Sequence, residues 1–429
     1  MKNKISLFLF AFIVACSLNA SAQEGPTPTD TLANALRILK SNVDLMNRVK
    51  FTGYFQPQFQ WSDSVGIGSF AGGNFATGVD KRFLVRRGRL KMTYDNGLSQ
   101  MVLTLDATQN SVAANEVYVK FKEPWLQSFT GQVGIFDRSF GFEVPNSSGS
   151  LETPERGRMS QIIMPGEKDL GAQISLQTPK GTLFAPFKID VGVFNGSNIA
   201  ADFDYYKDLC SHLTYTHINQ SQSFKLNTGV SYYKGGWKSN NDTLYNVGTL
   251  NGAEGFVADT IKDFKLERTN RQYYDAELQI SFDNPIGITT IRGEYIYGNQ
   301  PGTSSTSTSP TTAPLNAAGK AAKTYNRQFS GYYVYFLQNV FKTPLQLIAK
   351  YDVYDPNTQI EGTELTKAQG FSSADIAYTT LGLGLAWRWD ANIRITAYYD
   401  MVTNETTGLA GWGRDIPDNV WTFRVQFKF

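Results

Sequence analysis

The nine residues from Trp421 to Phe429 constrain the fold more than any other stretch of the chain. Odd positions carry Trp421, Phe423, Val425, Phe427 and Phe429; even positions carry Thr422, Arg424, Gln426 and Lys428. Strict period-two alternation describes an extended strand with one apolar, aromatic face and one polar face. The sequence ends on an aromatic residue inside that pattern. Left at the edge of a soluble sheet, such a strand would invite pairing with other chains. In a closed barrel the last strand pairs with the first, and no edge remains. The expectation is an all-β fold, a transmembrane antiparallel β-barrel with the apolar face outward.

The other end of the chain sets the compartment. Lys2 and Lys4 precede an apolar run from Ile5 to Ala15, and Ala20-Ser21-Ala22 precedes Gln23 as an A-x-A cleavage site. Residues 1–22 therefore read as a secretory signal peptide, excluded from the fold. Ile13-Val14-Ala15-Cys16 offers a rival reading as a lipoprotein signal with a lipidated Cys16. After cleavage at Ala22, Cys210 is the one remaining cysteine, which rules out an intramolecular disulfide. Loss of Lys2 and Lys4 takes Lys+Arg from 40 to 38, against 38 Asp+Glu. A neutral mature chain argues against nucleic-acid binding and against a wholly basic pore.

No second apolar run of about 18 residues follows the signal, so helical membrane spans are not expected. Residues 23–49 read as a linker and a short N-terminal helix. Pro26 and Pro28 mark the linker, and Leu32, Leu36, Leu39, Val43 and Met46 recur at 4-3-4-3 spacing. That stripe suits either a helix packed at a barrel mouth or a coiled-coil trimerisation helix.

From residue 50 to 429 the pattern becomes one of strands. Sixteen alternating segments are expected, at roughly 51–61, 81–94, 99–108, 114–122, 129–137, 168–177, 186–195, 209–217, 222–234, 270–283, 287–298, 328–339, 344–354, 377–389, 392–403 and 418–429. Each has about the ten residues a tilted membrane strand needs. Long connections (Ser62–Asp80, Arg138–Glu167, Gly196–Asp208, Gly235–Thr269, Asn299–Arg327, Asp355–Ile376, Asn404–Pro417) follow odd-numbered segments; short ones follow even segments. Gln109–Ala113 alone breaks the rule. Short turns on one side and long loops on the other are the pattern of outer-membrane barrels.

Parity also assigns the faces. Leu381, Leu383, Leu385, Trp387 and Trp389 should meet lipid, with Met101, Leu103, Leu105, Ile393, Ile395, Ala397 and Tyr399. Facing a wet lumen are Arg87, Arg89, Lys91, Lys120, Lys225, Lys350, Arg388, Arg394, Arg424 and Lys428, with Asp106, Glu116, Asp275, Glu277, Asp352 and Asp400 among them. Arg86 falls on the lipid side, where a charge would cost about 2–4 kcal/mol at the midplane. A bulge, a subunit interface or a shifted register must account for it.

Gly134-Ile135-Phe136-Asp137-Arg138-Ser139-Phe140-Gly141-Phe142-Glu143 resembles the Gly-Gln-Phe-Lys-x-Pro-Phe-Gly-x-Glu segment of the phosphate-selective porin O and P family. Ser147-Ser148, Glu155-Arg156, Leu170-Gly171-Ala172-Gln173, Phe194-Asn195-Gly196, Gly293-Glu294-Tyr295 and the closing Arg424–Phe429 segment are similar to that family's motifs in the same order, covering Phe51 to Phe429. The resemblance implies a sixteen-stranded porin of a Gram-negative outer membrane, a homotrimer, with the third external loop folded into the lumen. It implies passive diffusion of small hydrophilic solutes and a preference for anions such as phosphate. Asp137 stands where the family often has Lys, and Ser139 where it has Pro; with the neutral mature chain, Asp137 keeps a less selective channel on the same scaffold open as a reading.

Within the loop Arg138–Glu167, Arg138, Arg156 and Arg158, with Lys168 just beyond, would meet the solute; with Arg87, Arg89, Lys91, Lys120, Arg394 and Arg424 they form the expected pore-lining, anion-binding set. Against this stands a plainer reading, in which these arginines pair with the loop's own Glu143, Glu152, Glu155 and Glu167 and pin it to the wall.

Enzymatic readings fare poorly. His212 and His217 face opposite ways on one strand, so no local metal pair forms. Cys210 and His212 share a face, and chance placement on a polar wall accounts for them better than a dyad does. Asp202, Asp204 and Asp208 read as a solvated acidic loop rather than a cation site. No catalytic residue, metal or cofactor is expected. Two further readings stay open: a plugged barrel acting in surface binding or adhesion through its external loops, and a soluble secreted carbohydrate-binding protein.

Overall fold

The computed structural model describes residues 28–260 and 267–429; the expected signal peptide and Cys16 lie outside them. The chain divides into two compact units, Met1–Val49 and Lys50–Phe429. In the first, the 4-3-4-3 stripe falls on helix α1 (Pro28–Arg48), and Leu32, Leu36, Leu39, Val43 and Met46 are all exposed.

The second unit is a closed antiparallel barrel of sixteen wall strands. β1 (Val49–Ser62), β2 (Lys81–Asp95), β3 (Ser99–Ala107), β4 (Val112–Lys122) and β5 (Phe129–Asp137) lead into a long loop, here loop 3, which carries the short helix α2 (Arg158–Ile163). β6 (Lys168–Leu176), β7 (Phe187–Phe194), β8 (Asp208–Ile218) and β9 (Phe224–Gly235) follow. A hairpin, β10 (Thr243–Leu250) and β11 (Ala253–Thr260), leaves the wall, because β9 pairs directly with β12 (Arg271–Asn284). The wall continues through β13 (Gly287–Gly302), β14 (Thr324–Asn339), β15 (Leu345–Asp355), β16 (Tyr378–Arg388), β17 (Ile393–Asn404) and β18 (Val420–Lys428). β18 returns to β1, and Gly53 and Phe429 exchange both backbone hydrogen bonds at 3.0 Å. No edge remains on this seam, as the alternation of the last nine residues required.

The hairpin lies within the long connection expected at 235–269 and adds structure that the sequence reading did not assign there. Its turn is Asn251-Gly252, both at positive φ (54° and 84°), the chemistry of a tight two-residue hairpin. That dipeptide was the available signal.

The faces follow parity. On β18, Trp421, Phe423, Val425 and Phe427 are 37–45% exposed outward, whereas Thr422, Arg424 and Gln426 are at most 4% exposed inside. Leu381, Leu383, Leu385, Trp387 and Trp389 all lie on the outer surface. Arg86 breaks the rule. Both it and its neighbour Arg87 bond Glu155 inside the barrel, so alternation fails at this point of β2 and the charge stays out of lipid.

The expected wet lumen is corrected on one side. Tyr233, Tyr273, Phe329, Tyr333, Tyr335, Tyr354 and Tyr398 point inward from β9 and β12–β17, and are buried against Phe140, Val144, Met159, Ile162, Ile163 and Met164 of loop 3. That side of the interior is therefore a packed apolar core. A charge placed outward should be costly while the same wall tolerates polarity inward. Leu383→Arg should cost about 2–4 kcal/mol in reversible unfolding from liposomes; a neutral effect would mean that this face does not meet lipid.

Candidate functional site

Loop 3 owes its place in the barrel to groups at both of its ends. Near its start, the Gly141 N–H donates to Ser231 Oγ (2.9 Å), and the Phe142 and Glu143 N–H groups donate to Glu294 Oε2 (3.2 and 3.1 Å). Gly141 sits at φ +61°, and a Cβ there would collide with the Glu294 carboxylate, so this approach requires glycine. The Glu143 carboxylate turns back into the loop, accepting from Gly157 N–H (3.0 Å), Ser160 Oγ (2.6 Å) and Tyr335 Oη (2.8 Å). Neighbouring loops hold the far side. Gln161 donates to Phe70 O (2.9 Å), and the Ser309 N–H donates to Ile162 O (3.0 Å).

With that side filled, open space lies along the β2–β7 wall. A cavity of 420 Å³ on the long-loop side is lined by Arg86, Arg87, Arg89, Asp106, Glu155, Arg156, Glu167 and Lys168, among others. A second, of 490 Å³, on the short-turn side is lined by Glu116, Lys120, Lys122, Asp137, Lys188 and a row of glutamine, serine and threonine side chains. Between them sit cross-strand ion pairs. Asp137 and Lys168 are register partners, with Lys168 Nζ 2.7 Å from Asp137 Oδ1. Arg89 and Asp106 are likewise opposite, at 2.9 Å. Lys91 lies 3.4 Å from Glu116, whose Oε2 also accepts from Thr104 Oγ1 (2.6 Å).

The expected lining residues thus separate into groups. Arg87, Arg89, Arg156 and Lys168 line the upper cavity, Lys120 the lower one, and Lys91 pairs with a residue of the lower. Arg424 stands behind Glu155, which it contacts at 2.8 Å. Away from both cavities, Arg138 is fully buried 3.6 Å from Asp169, and Arg394 donates to Leu151 O at 2.7 Å. Arg158 lies over the rings of Phe70 (4.6 Å) and Tyr378 (3.5 Å) beside a narrow crevice of 30 Å³. The plainer reading of the loop charges matches much of this geometry. Arg156 bonds Glu167, Glu143 O and Ser148 Oγ, and Arg292 of the wall pairs with Glu152 at 3.0 Å.

The residues left out of the expected set are its acidic half, Asp106, Glu116, Asp137, Glu155 and Glu167, together with Arg86. Their signal was available in Arg86, whose position made no sense on a lipid face. Elsewhere Cys210 donates to Ser139 O (3.1 Å) while His212 pairs with Glu277 (3.2 Å), so the two form no dyad. Asp202, Asp204 and Asp208 do not converge either. Asp202 pairs with Lys207, Asp204 accepts from backbone N–H groups, and Asp208 pairs with Arg268 and Arg271. No group of three metal-ligating side chains is found among the described residues.

Burial works against the charge on Glu155, but Arg86, Arg87 and Arg424 outweigh it and hold the carboxyl well below the usual range. Burial likewise opposes ionisation of Glu167, and Arg156, Lys168, Arg87 and Arg89 bring it down to about 2.

The sequence matches no protein-family model and none of the curated proteins. Solved structures do match in fold. An anion-selective porin from Comamonas acidovorans aligns over 89% of this chain and 99% of its own, at 12% identity and a TM-score of 0.52. The outer membrane channel DcaP of Acinetobacter baumannii aligns over 89% and 97%, at 11% and 0.52. A loop L8 deletion mutant of OmpT, an outer membrane protein of Vibrio cholerae, aligns over 89% and 99%, at 10% and 0.51. The chain has the sixteen-stranded fold of outer-membrane porins. At such identities the likeness concerns the fold.

Carboxylates with depressed values stabilise what they hold above the ordinary carboxylate range, and that contribution disappears as pH falls. The part of loop 3's protease resistance that rests on these two glutamates should therefore hold from neutral pH down to the ordinary value of 4.5; Glu167's share should be lost between there and about 2, and Glu155's only as the pH falls well below that ordinary value. Loss of resistance already at pH 6–7 would contradict the role given to these two glutamates.

Proposed function

We propose that this chain is a porin of a Gram-negative outer membrane, exported by the signal at residues 1–22, through which small hydrophilic solutes diffuse passively. One observation carries the reading: in a closed barrel, loop 3 fills one side and leaves two polar cavities on the other, with a band of charge between them. Fixed charges at a narrow passage act on a passing ion by replacing part of its hydration, and release requires that the contact stay weak. The band is mixed. Arg86, Arg87, Arg89, Lys91, Arg156, Lys168 and Arg424 face Asp106, Glu116, Asp137, Glu155 and Glu167. Seven cations against five carboxylates support a mild preference for anions, and phosphate is one candidate among them. Arginine suits an oxyanion through its bidentate fork, but each of these arginines already has a carboxylate partner. Assembly as a homotrimer in outer-membrane lipid follows from the family resemblance.

The packed aromatic side of the interior favours a second reading, a plugged barrel whose external loops bind at the cell surface. Planar-bilayer recording of the purified protein separates the two. Under a KCl gradient the reversal potential should show a small bias toward chloride, and Asp137→Asn combined with Glu116→Gln should raise the chloride-to-potassium permeability ratio several-fold. Absence of conductance would overturn the channel reading in favour of the plugged barrel.

A further inference from the structure

The cavity on the short-turn side is strongly polar yet carries no net charge, and the register of five strands explains its lining. Asp95 of β2 lies opposite Gln100 of β3, Gln100 opposite Lys120 of β4, Lys120 opposite Gln132 of β5, and Gln132 opposite Gln173 of β6. Directly opposed residues in neighbouring strands share a face, so the five side chains form one continuous rung, and all five line the cavity. A second rung nearer the short turns runs through Lys122, Thr130 and Ser175. One step further in stands Tyr118, half-buried, with the ring of Phe136 edge-on to it at 6.0 Å.

Three carboxylates in the lining, Asp95, Glu116 and Asp137, balance three ammoniums, Lys120, Lys122 and Lys188. Most of this charge is already engaged. Asp137 lies 2.7 Å from Lys168, Glu116 3.4 Å from Lys91, and Lys188 2.7 Å from Asp190. The middle of the first rung is what stays free. Gln100 Nε2 donates to Asp95 at 2.9 Å, which turns its carbonyl oxygen to the cavity as an acceptor. Lys120 Nζ and the Gln132 amide have no hydrogen-bond partner among the described residues. An acceptor, a donor and an amide that is both thus stand side by side at the roughly 4.8 Å spacing of neighbouring strands.

That order selects a chemistry. An inorganic anion uses donors only, and would meet amide oxygens on either side of Lys120; a cation would meet Lys120 itself. A hydroxyl both donates and accepts, and the hydroxyls around a sugar ring do so in series. Tyr118 adds an apolar surface for the C–H face of such a ring. We propose that this cavity is a subsite for an uncharged polyhydroxylated solute of the sugar class, held by Gln100, Lys120, Gln132 and Gln173 against Tyr118. Its 490 Å³ falls within the range of about 300–1,000 Å³ usual for small-molecule sites. Contact through single hydrogen bonds stays weak enough for release. Passage of the solute through the barrel rests on the channel reading above; the binding itself does not.

The test uses maltose as a neutral probe on the purified full-length protein, in a detergent without a sugar headgroup, titrated by saturation-transfer NMR. The wild type should bind maltose, and raising sodium chloride about tenfold should leave the affinity unchanged, because a neutral ligand is not screened. Gln132→Ala combined with Gln173→Ala should weaken binding about tenfold, as loss of a few neutral hydrogen bonds does. Lys120→Ala should weaken it severalfold, and Lys120→Gln, which restores a donor without the charge, should recover most of that loss. Absence of maltose binding to the wild type would overturn the proposal, as would equal affinity in the double glutamine variant. Binding that salt abolishes, or that Lys120→Gln fails to recover, would also overturn it, since the cavity would then read charge. The salt comparison needs only the wild type and decides if the variants do not fold. Maltose binding by a protein that passes no current would keep the subsite and overturn the channel reading alone; current without maltose binding would do the reverse.

Discussion

Inside a bilayer no water satisfies a backbone N–H or C=O, so every strand of a membrane-spanning sheet must have two neighbours. The pairing of β18 with β1, down to the reciprocal bonds between Gly53 and Phe429, meets that demand, and the rest of the molecule depends on it. Closure also sorts the side chains. Alternate residues meet lipid on one face and an enclosed interior on the other. A side chain such as Arg424 can then be nearly fully buried while its neighbours Phe423 and Val425 lie on the outside.

An enclosed interior of sixteen strands is too wide for its own side chains to fill, and loop 3 takes up much of the space. It does so asymmetrically. Its apolar residues Phe140, Met159 and Ile163 pack on the tyrosine-rich wall of β9 and β12–β15, whereas its charges Glu155, Arg156 and Glu167 turn toward the arginine-rich wall of β2. Apolar packing and ion pairing thus hold opposite sides of the same loop, leaving charge-lined cavities on one side of the interior. The ion pairs sit in a setting where both partners are largely removed from water. Breaking one by removing a single partner leaves an uncompensated charge, which costs far more than losing a surface pair.

Much of this architecture was legible in the residues. The strand segments coincide with the wall strands to within a few positions, because period-two patterning and the alternation of long and short connections both follow from the barrel. The polarity of the lumen was not. Tyrosine reads as a girdle or lining residue on pattern alone, and only the placement of loop 3 shows that Tyr233, Tyr273 and Tyr333 are core. Among the candidate site residues, position along the wall was legible but partnership was not. Arg89 and Asp106 are separated by a hairpin whose register had to be known before they could be seen as opposites. Glu155 reaches Arg424 across 269 positions, a contact that no local pattern encodes. Arg86 shows the converse: a residue that violates the pattern marks the place where the wall serves something other than its own closure.

On the proposed porin reading, the loop pinned inside the barrel determines the size of the passage. Single-channel conductance in a planar bilayer tests it most directly, comparing the wild type with a chain in which residues 141–166 are replaced by a short Gly-Ser linker that joins β5 to β6. The account predicts discrete openings in both proteins, several-fold larger in the shortened chain and with less ion preference. Equal conductance in the two would contradict it, because the passage would then be limited elsewhere in the barrel.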